Sequence, residues 1–315
     1  MSRSTHVAFK DGAFVPYADM TVGFGTHALH YGTSVFEGLR AYWDGDTAEL
    51  FVFRPQEHFE RLRGSARFFG MTPPSSTEEL CRLTTELLAR NELREDAYIR
   101  PVLYKGGDGI GLWRSDMPDC FAIFAVPMGK YIGDGGIRCC VSSWRRPHGN
   151  SAPARAKIGG MYAAMALARH EALEKGFDEA ILLSADGRVA EGSAENIFLV
   201  FDGKLVTPSL GSDVLAGITR ASVINLAAAE LGLTVVERDV NQSELTFADE
   251  VFLCGTAAEI TSVVEIDHRV VGDGTVGPVT RALARVYDDA VHGRRSEYLS
   301  WCHPVYAQAL EGAAR

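Results

Sequence analysis

The sequence has no long apolar run. None of its segments approaches the roughly 18 uncharged apolar residues of a membrane-spanning helix, and the first ten residues lack the continuous apolar stretch of a secretion signal. Basic residues are also in the minority, since 31 Lys and Arg stand against 41 Asp and Glu and give a net charge of -10. This acidic balance argues against a nucleic-acid surface. We therefore expect a cytoplasmic protein with neither a nucleic-acid nor a membrane partner.

Metal-binding spacings are lacking as well. The six cysteines are scattered without a C-x-x-C pair, so reduced and buried thiols are the expected state. His27 and His30 stand three residues apart, but no third ligand lies near them in the sequence. A structural zinc site needs four ligands and a catalytic site three. We therefore expect no metal site.

Length and composition predict a globular protein of two domains. The chain has 315 residues, about twice the roughly 150 residues of an average domain. Residues 128–136 carry four glycines and few large apolar side chains, which is typical of an interdomain connection. The predicted division is a small N-terminal α/β domain over 1–127, a linker over 128–136 and a large C-terminal domain over 137–315.

Apolar periodicity and breaker residues predict alternating strands and helices. Strands are predicted over 50–53, 98–104, 120–126, 137–142, 180–184, 196–200 and 250–254. Helices are predicted to start at Pro55 and to cover 77–91, 160–175 and 219–231. Asp202-Gly203 predicts a tight hairpin after the strand at 196–200.

The strand at 98–104 carries two polar side chains that alternate. Tyr98 and Arg100 therefore project from one face and can reach one ligand together. Pro101 lacks a ladder donor, which predicts that this strand lies at an edge or a bulge. The glycine-rich loop that follows, residues 106–119, has G-x-G-x-G spacing and opens no helix, so we reject a dinucleotide-binding loop and expect a lid or rim.

Lys157 lies immediately before the helix predicted over 160–175, among small residues that leave room for a bulky adduct. On its own it is best explained as a solvated surface cation, because lysine is rarely buried. A functional lysine needs a site that keeps the amine reactive and an aldehyde with which it can form a Schiff base.

Two further segments supply what a pyridoxal ring would need. Glu191 lies between two predicted strands, and a carboxylate held at the ring nitrogen would keep that nitrogen protonated. Residues 217–220 open a helix whose free N–H groups suit an anion, and Thr256 follows a strand in a tight turn that suits the same anion. Ordinary turns and helix starts would explain these segments equally well when each is taken alone.

Taken together, the motifs resemble those of the branched-chain aminotransferases among the fold-type IV pyridoxal-phosphate enzymes. The likeness runs from about residue 9 to residue 301 and rests on six motifs in order. They are HYGTSVFEG at 30–38, YIRP at 98–101, AKIGGMY at 156–162, EGSAEN at 191–196, GITR at 217–220 and GTAAE at 255–259. The resemblance implies two α/β domains, each a sheet or barrel-like sheet flanked by helices, with the cofactor in the cleft between them and held mainly by the C-terminal domain.

The resemblance also implies roles for single residues. Lys157 would be catalytic and form the internal aldimine with pyridoxal 5'-phosphate, Glu191 would pair with the ring nitrogen, and Tyr162 with the ring hydroxyl. The other implied cofactor-binding residues are Arg61, Glu195, Asn196, Gly217, Ile218, Thr219, Gly255 and Thr256. The implied substrate-binding residues are Tyr31, Phe36, Gly38, Tyr98, Arg100, Leu112, Met128, Tyr131, Thr256 and Ala257, with Leu112 supplied by a second subunit.

The implied activity is reversible transfer of the amino group of L-leucine, L-isoleucine or L-valine to 2-oxoglutarate, in at least a homodimer. This chain departs from the family pattern at Met128, where many relatives have tryptophan, and at residues 112–115, where an apolar-Asn-Pro sequence is usual. A flexible Met128 could admit bulkier side chains. Alternatives on the same scaffold are a D-amino-acid transaminase, an R-selective amine transaminase and an aminodeoxychorismate lyase, and a non-catalytic metabolite-binding protein is the alternative of another class.

Overall fold

The structure, a computed structural model, describes residues 6–113, 116–129 and 135–307. Within these ranges no helix is long and apolar enough to cross a membrane. The chain forms two compact units: the first comprises Met1–Gly129, Ala156–Gly160 and Ala290–Arg315, and the second comprises Lys130–Arg155 and Met161–Asp289. The units therefore interleave along the chain, whereas the domain boundaries expected from the sequence follow chain order and stay a prediction.

Strands and helices alternate along the described chain. Up to residue 127 they are β1 (Val7–Lys10), β2 (Ala13–Pro16), α1 (His27–Tyr31), β3 (Ser34–Phe36), β4 (Leu39–Asp44), β5 (Glu49–Phe53), α2 (Pro55–Ala66), α3 (Thr77–Arg90), β6 (Ala97–Lys105) and β7 (Asp119–Pro127). From residue 137 they are β8 (Ile137–Arg145), α4 (Tyr162–Glu174), β9 (Glu179–Leu183), β10 (Val189–Gly192), β11 (Asn196–Phe201), β12 (Lys204–Thr207), α5 (Ile218–Leu231), β13 (Val235–Glu237), α6 (Glu244–Phe247), β14 (Glu250–Gly255), β15 (Glu259–Ile266), β16 (Arg269–Val270), α7 (Pro278–Val291) and β17 (Cys302–Pro304).

The first unit is built on one antiparallel sheet. Its strand order is β17-β5-β4-β6-β7-β1-β2, and β3 pairs with β6 beside β4. Helix α2 begins at Pro55, as predicted, and buries His58, Leu62 and Ala66 on one face. It ends through a 3-10 turn at Gly70, whose φ of +57° closes the last turn in the left-handed conformation.

The expectation that Pro101 marks an edge or bulge was wrong. Strand β6 lies inside the sheet, between β7 on one side and β4 and β3 on the other. Strand β4 pairs with residues 97–99 and β3 with residues 102–104, so Pro101 falls in the break between the two partners. A residue without an N–H interrupts neither ladder there, and its carbonyl still accepts from the N–H of Glu37 at 2.9 Å.

The second unit is built on a closed barrel. Strands β9, β8, β15, β14, β11 and β10 follow one another, and β10 pairs with both β11 and β9, which completes the ring. Alternate side chains of β11 enter different clusters: Ile197 and Leu199 pack with Val251 and Leu253, whereas Phe198 and Val200 pack with Val223 of α5. The period of two places a helix-covered layer on one side of the sheet and a second apolar core on the other.

The mixed α/β fold with one barrel-like sheet is confirmed, and so are the predicted strands and helices to within a few residues. Asp202 and Gly203 have φ of 47° and 71° and join β11 to β12 in the predicted hairpin. Glu191 was predicted to lie between two strands, which was wrong, because it lies within β10 opposite Asn196. The turn is formed by the residues that follow, where the N–H of Gly192 donates to the carbonyl of Glu195 at 2.7 Å.

Candidate functional site

In the first unit, the short segment that carries Lys157 is fixed by its backbone. The N–H of Lys157 donates to Ser65 Oγ of α2 at 3.0 Å, and its carbonyl accepts from the N–H of Phe36 at 3.1 Å. The N–H of Gly160 donates to the carbonyl of Gly32 at 3.1 Å. The amine Nζ lies 5.0 Å from the centroid of the Phe36 ring. The partly buried side chain is thus attached to a rigid support, unlike an ordinary surface lysine.

A buried carboxylate organises the helix face beside this segment. Glu37 is fully buried and accepts from Arg61 Nε at 2.7 Å and Nη2 at 2.8 Å, and from His58 Nδ1 at 2.8 Å. Burial works to raise the pKa of Glu37, but the charge and hydrogen bonds of Arg61 and the hydrogen bond of His58 hold it well below its usual range. Burial lowers the pKa of His58. Glu37 therefore fixes the plane of the Arg61 guanidinium by a bidentate pair.

Tyr98 and Arg100 share one face of β6, as predicted. Arg100 Nη2 donates to the Tyr98 hydroxyl at 2.7 Å, and the guanidinium lies 4.6 Å from the centroid of the Phe36 ring. Gly38 approaches this pair so closely that an added Cβ would stand 2.1 Å from the Tyr98 hydroxyl. These four residues thus form one polar and aromatic surface in the first unit.

The loop after β6 is attached to α1. The hydroxyl of Tyr31 accepts from the N–H of Gly111 at 3.2 Å, and His27 Nε2 lies 2.9 Å from the Gly111 carbonyl. Leu112, next in the chain, is 78% exposed. Met128 is half-buried. Tyr131 lies outside the described residues, and so do residues 114 and 115, which differ from the family pattern.

In the second unit, Glu191 receives hydrogen bonds on both of its oxygens. Oε1 lies 2.8 Å from Arg146 Nε, and Oε2 accepts from Asn196 Nδ2 and from the N–H of Leu215, each at 3.0 Å. Asn196 Nδ2 also donates to the carbonyl of Leu215 at 3.0 Å. The carboxylate of β10 is thereby connected directly to the segment that leads into α5.

The start of α5 is a suitable anion site. Gly217 is the N-cap residue and supplies no side-chain hydrogen bond to the first turn. The N–H groups of Ile218 and Thr219 therefore stand at the positive end of a 14-residue helix. An added Cβ on Gly217 would meet Asn196 Oδ1 at 2.0 Å, so only glycine permits this close approach. Through Asn196, the helix start and Glu191 form one site.

The turn after β14 lies against the residues that follow β10. Gly255 would place a Cβ 3.4 Å from the Ala194 carbonyl, and the hairpin continues through the partly buried Thr256 and Ala257 to β15. Tyr162 is partly buried at the first position of α4, after a 3-10 turn that delays the helix from its predicted start at Gly160.

Glu195 is the second buried carboxylate of this hairpin. It is 6% exposed, and its Oε2 accepts from the N–H of Ala194 at 3.0 Å. Burial, together with the charge of the buried Glu179, raises the pKa of Glu195 to about 8. Near neutral pH, Glu195 therefore holds a proton while Glu191 faces a guanidinium.

Three residues of these networks received no role from the sequence. Glu37 and His58 hold Arg61, and Arg146 holds Glu191. The spacing of His58 and Arg61, three apart on the apolar face of a predicted helix, was an available indication. Arg146 gave none, because its partner is 45 residues away and adjacent only in the folded barrel.

Comparisons with known proteins show which proteins this chain is similar to. The model of the family described as amino-transferase class IV matches residues 34–266. A probable branched-chain-amino-acid aminotransferase of Aquifex aeolicus is 46% identical over 97% of this chain and 98% of its own length. The branched-chain-amino-acid aminotransferase of Pseudomonas aeruginosa is 42% identical over 94% of this chain and 96% of its own length.

Solved structures resemble the whole chain as well. The crystal structure of branched-chain aminotransferase from Thermoproteus uzoniensis with norvaline has a TM-score of 0.92 and 43% identity, and the match covers 96% of this chain and 100% of that one. The crystal structure of branched-chain amino acid aminotransferase from Thermobaculum terrenum in its PLP form, the holo form, has a TM-score of 0.92 and 36% identity, with 96% of this chain and 99% of that one covered.

The support of the Lys157 segment is testable at Gly32. This glycine has φ of +65°, and an added Cβ would stand 2.5 Å from Gly160 Cα. Gly70→Ala is the matched control, since its φ is +57° and nothing lies within 4 Å. We expect Gly70→Ala to lower the free energy of unfolding by about 1 kcal/mol through backbone strain alone. Gly32→Ala should cost at least about 1 kcal/mol more because backbone atoms must separate. Equal decreases in the free energy of unfolding, measured with urea, would show that the close approach of Gly32 to Gly160 does not affect stability.

The protonated state of Glu195 is testable through the pH dependence of stability. The unfolded carboxyl ionises near its ordinary value of 4.5, whereas the folded one keeps its proton to about pH 8. The folded state therefore binds up to about one proton more between these values, and the contribution of Glu195 to stability is lost as pH rises towards 8. Glu195→Gln should remove this decline, so its stability relative to the parent should increase from pH 4.5 to pH 8. Glu174→Gln, at an exposed position, should leave the profile unchanged, and parallel profiles for all three proteins would contradict the assignment.

Proposed function

The chain belongs to the class IV aminotransferase family, and from that premise we propose how its own residues divide the work of amino transfer. It is a branched-chain-amino-acid aminotransferase with pyridoxal 5'-phosphate as its cofactor. It exchanges the amino group of L-leucine, L-isoleucine or L-valine with 2-oxoglutarate, giving branched 2-oxo acids and L-glutamate. The assignment of individual residues to steps is the part that we propose.

The observation that carries the proposal is the network around Glu191. The carboxylate, Asn196 and Leu215 connect the middle of β10 to the uncapped start of α5, so one side of the site offers an acceptor and the other offers N–H donors. A pyridine ring with a phosphate group needs this combination. Bound pyridoxal phosphate supplies an aldehyde that amines can attack and a ring that withdraws electrons from the substrate α-carbon.

In this proposal the cofactor is held at its phosphate, its ring nitrogen and its ring hydroxyl. Ile218 and Thr219 bind the phosphate through their N–H groups, assisted by Thr256 and by Arg61, whose plane Glu37 fixes. Glu191 holds a proton on the ring nitrogen, and Tyr162 donates to the ring hydroxyl. Glu195, Asn196, Gly217 and Gly255 shape the turns that support these contacts.

Lys157 performs the covalent and proton-transfer steps. With the cofactor bound, the Lys157 amine would hold it through the aldehyde, and the amine of the amino acid would displace Lys157. The freed Lys157 Nζ would then take the proton from the substrate α-carbon and deliver it to the cofactor carbon that carried the aldehyde. The rigid backbone of residues 156–160 allows the amine to move only through the rotations of its own side chain.

The surface around β6 receives the substrate. Tyr98 and the Thr256–Ala257 turn bind the α-carboxylate, and Arg100, already bonded to Tyr98, binds the distal carboxylate of glutamate. Gly38 permits the close approach of the Tyr98 hydroxyl, which a Cβ at this position would block. Tyr31, Phe36, Met128 and Tyr131 form an apolar wall, on which burial favours a branched side chain by roughly 1.5 to 3 kcal/mol.

A second subunit completes the wall. Leu112 is 78% exposed at the tip of an anchored loop, and an apolar side chain in that position suits the pocket of a neighbouring copy. The homodimer, its extension to a hexamer and the cytoplasmic location expected from composition belong to this proposal. The relatives described above carry the branched-chain name, which favours this activity over the D-amino-acid, R-amine and lyase alternatives.

The role of Lys157 predicts the spectroscopic behaviour of the purified holoenzyme. L-Leucine and L-glutamate should bleach the visible band of the lysine-bound cofactor, whereas D-alanine and R-1-phenylethylamine should not. Lys157→Ala should lack that band and lose about a thousandfold in transaminase rate, in the range lost with a general base. Lys204→Ala makes the same change at an exposed lysine and should behave as the parent. Full activity of Lys157→Ala would refute the mechanism.

The proposed contribution of Leu112 to the pocket of a second subunit predicts that two defective variants complement each other in a mixed dimer. Leu112→Ala should raise KM for leucine about tenfold, the equivalent of the lost burial. A dimer of one Leu112→Ala subunit and one Lys157→Ala subunit should show the parental KM at half the rate, because the intact lysine then faces the intact leucine. Ile110→Ala, 79% exposed in the same loop, is the control for general loop damage. A raised KM in the mixed dimer would place Leu112 in the pocket of its own subunit.

A further inference from the structure

Arg146 is a buried arginine directly after β8. It is 6% exposed, and its Nε lies 2.8 Å from Glu191 Oε1. A buried guanidinium is costly unless an opposite charge and hydrogen bonds compensate it. Glu191, itself 6% exposed, meets the first requirement.

The remaining contacts of Arg146 are with neutral groups. Nε also donates to the Asp213 carbonyl at 3.0 Å, Nη2 to the Ala154 carbonyl at 3.2 Å, and Nη1 lies 3.5 Å from Met165 Sδ. Carbonyl oxygens and a thioether orient the guanidinium but do not balance its charge. In this set of contacts Glu191 alone supplies the balancing charge.

The surroundings of Glu191 favour its ionised form. Oε2 accepts from Asn196 Nδ2 and the Leu215 N–H, so three donors converge on the carboxylate. Donors to the charged form stabilise that form. The adjacent Glu195, whose pKa burial and the charge of Glu179 raise to about 8, keeps its proton near neutral pH. Of the two carboxyl groups in this hairpin, Glu191 is the one that contacts Arg146.

We propose that Arg146 is a positioning residue for amino transfer, which orients the Glu191 carboxylate and keeps it ionised so that the ring nitrogen of the bound cofactor stays protonated. This inference rests on the role proposed for Glu191. If the positive charge is lost, carboxylate and ring nitrogen compete for one proton, and the ring withdraws electrons less strongly.

Arg146 also donates hydrogen bonds to the carbonyls of residues 154 and 213. The effect of its charge must therefore be tested separately from the effect of its hydrogen bonds. Arg146→Gln keeps a hydrogen-bond donor and removes the charge, whereas Arg146→Lys keeps the charge and loses the planar fork. Arg220→Gln is the matched control, because Arg220 is also buried in the second unit and contacts a carboxylate, that of Glu237, and a carbonyl, that of Pro208.

The direct readout is the ¹⁵N chemical shift of holoenzyme reconstituted with cofactor labelled at the ring nitrogen, recorded across pH. The parent and Arg146→Lys should show a protonated ring nitrogen at neutral pH. Arg146→Gln should show it shifted towards the unprotonated position, with kcat for leucine reduced by about tenfold or more and KM changed much less. Arg220→Gln should lose stability without moving the nitrogen signal.

Glu191→Gln separates the two levels of the proposal. If Glu191→Gln leaves the nitrogen protonated, the role proposed for Glu191 is wrong. If Glu191→Gln deprotonates the nitrogen but Arg146→Gln does not, only the inference about Arg146 is overturned. Should Arg146→Gln not fold, Arg146→Lys decides, since an unprotonated ring in that charge-retaining variant would equally overturn the inference.

Discussion

The second unit depends on one buried carboxylate and its compensating charge. Glu191 lies on β10, the strand that completes the barrel, and Arg146 follows β8, on the far side of β9. The ion pair therefore spans the closing part of the ring. A carboxylate at this depth requires every one of its donors, so the barrel must be closed before the site exists. The same ion pair therefore contributes both to closure of the barrel and to the electrostatics of the site.

The first unit supports the segment that carries Lys157, the amine that we propose is reactive. Its peptide segment returns from the second unit for only five residues, Ala156–Gly160. Ala156 and Ile158 of this short piece are buried, and backbone bonds to Phe36 and Gly32 and the hydroxyl of Ser65 hold it as well. The absence of a side chain at Gly32 permits the closest of these approaches. The result is a lysine whose backbone is fixed and whose amine retains its side-chain rotations.

Local features of this fold were predictable from the sequence, and non-local ones were not. Apolar alternation, the Pro55 helix start and the Asp202-Gly203 hairpin are encoded within a few residues, so their positions were found. The placement of Pro101 inside a sheet depends on β4 and β3 meeting along β6, which no local pattern shows. Arg146 was missed for the same reason, because its importance arises only when two distant segments pair. The sequence motifs indicated the candidate site residues, whereas the supporting contact of Arg146 became visible only in the folded structure.

The two glutamates of one hairpin show why composition alone cannot assign charge. Glu191 and Glu195 are four residues apart and equally buried, yet Glu191 contacts a guanidinium, whereas burial and the charge of Glu179 raise the pKa of Glu195. The two carboxyl groups therefore have charged neighbours of opposite sign. One full negative charge is what a ring nitrogen needs to stay protonated. A second would add repulsion to a site that we propose also admits a phosphate, so a neutral Glu195 suits the anion binding proposed there.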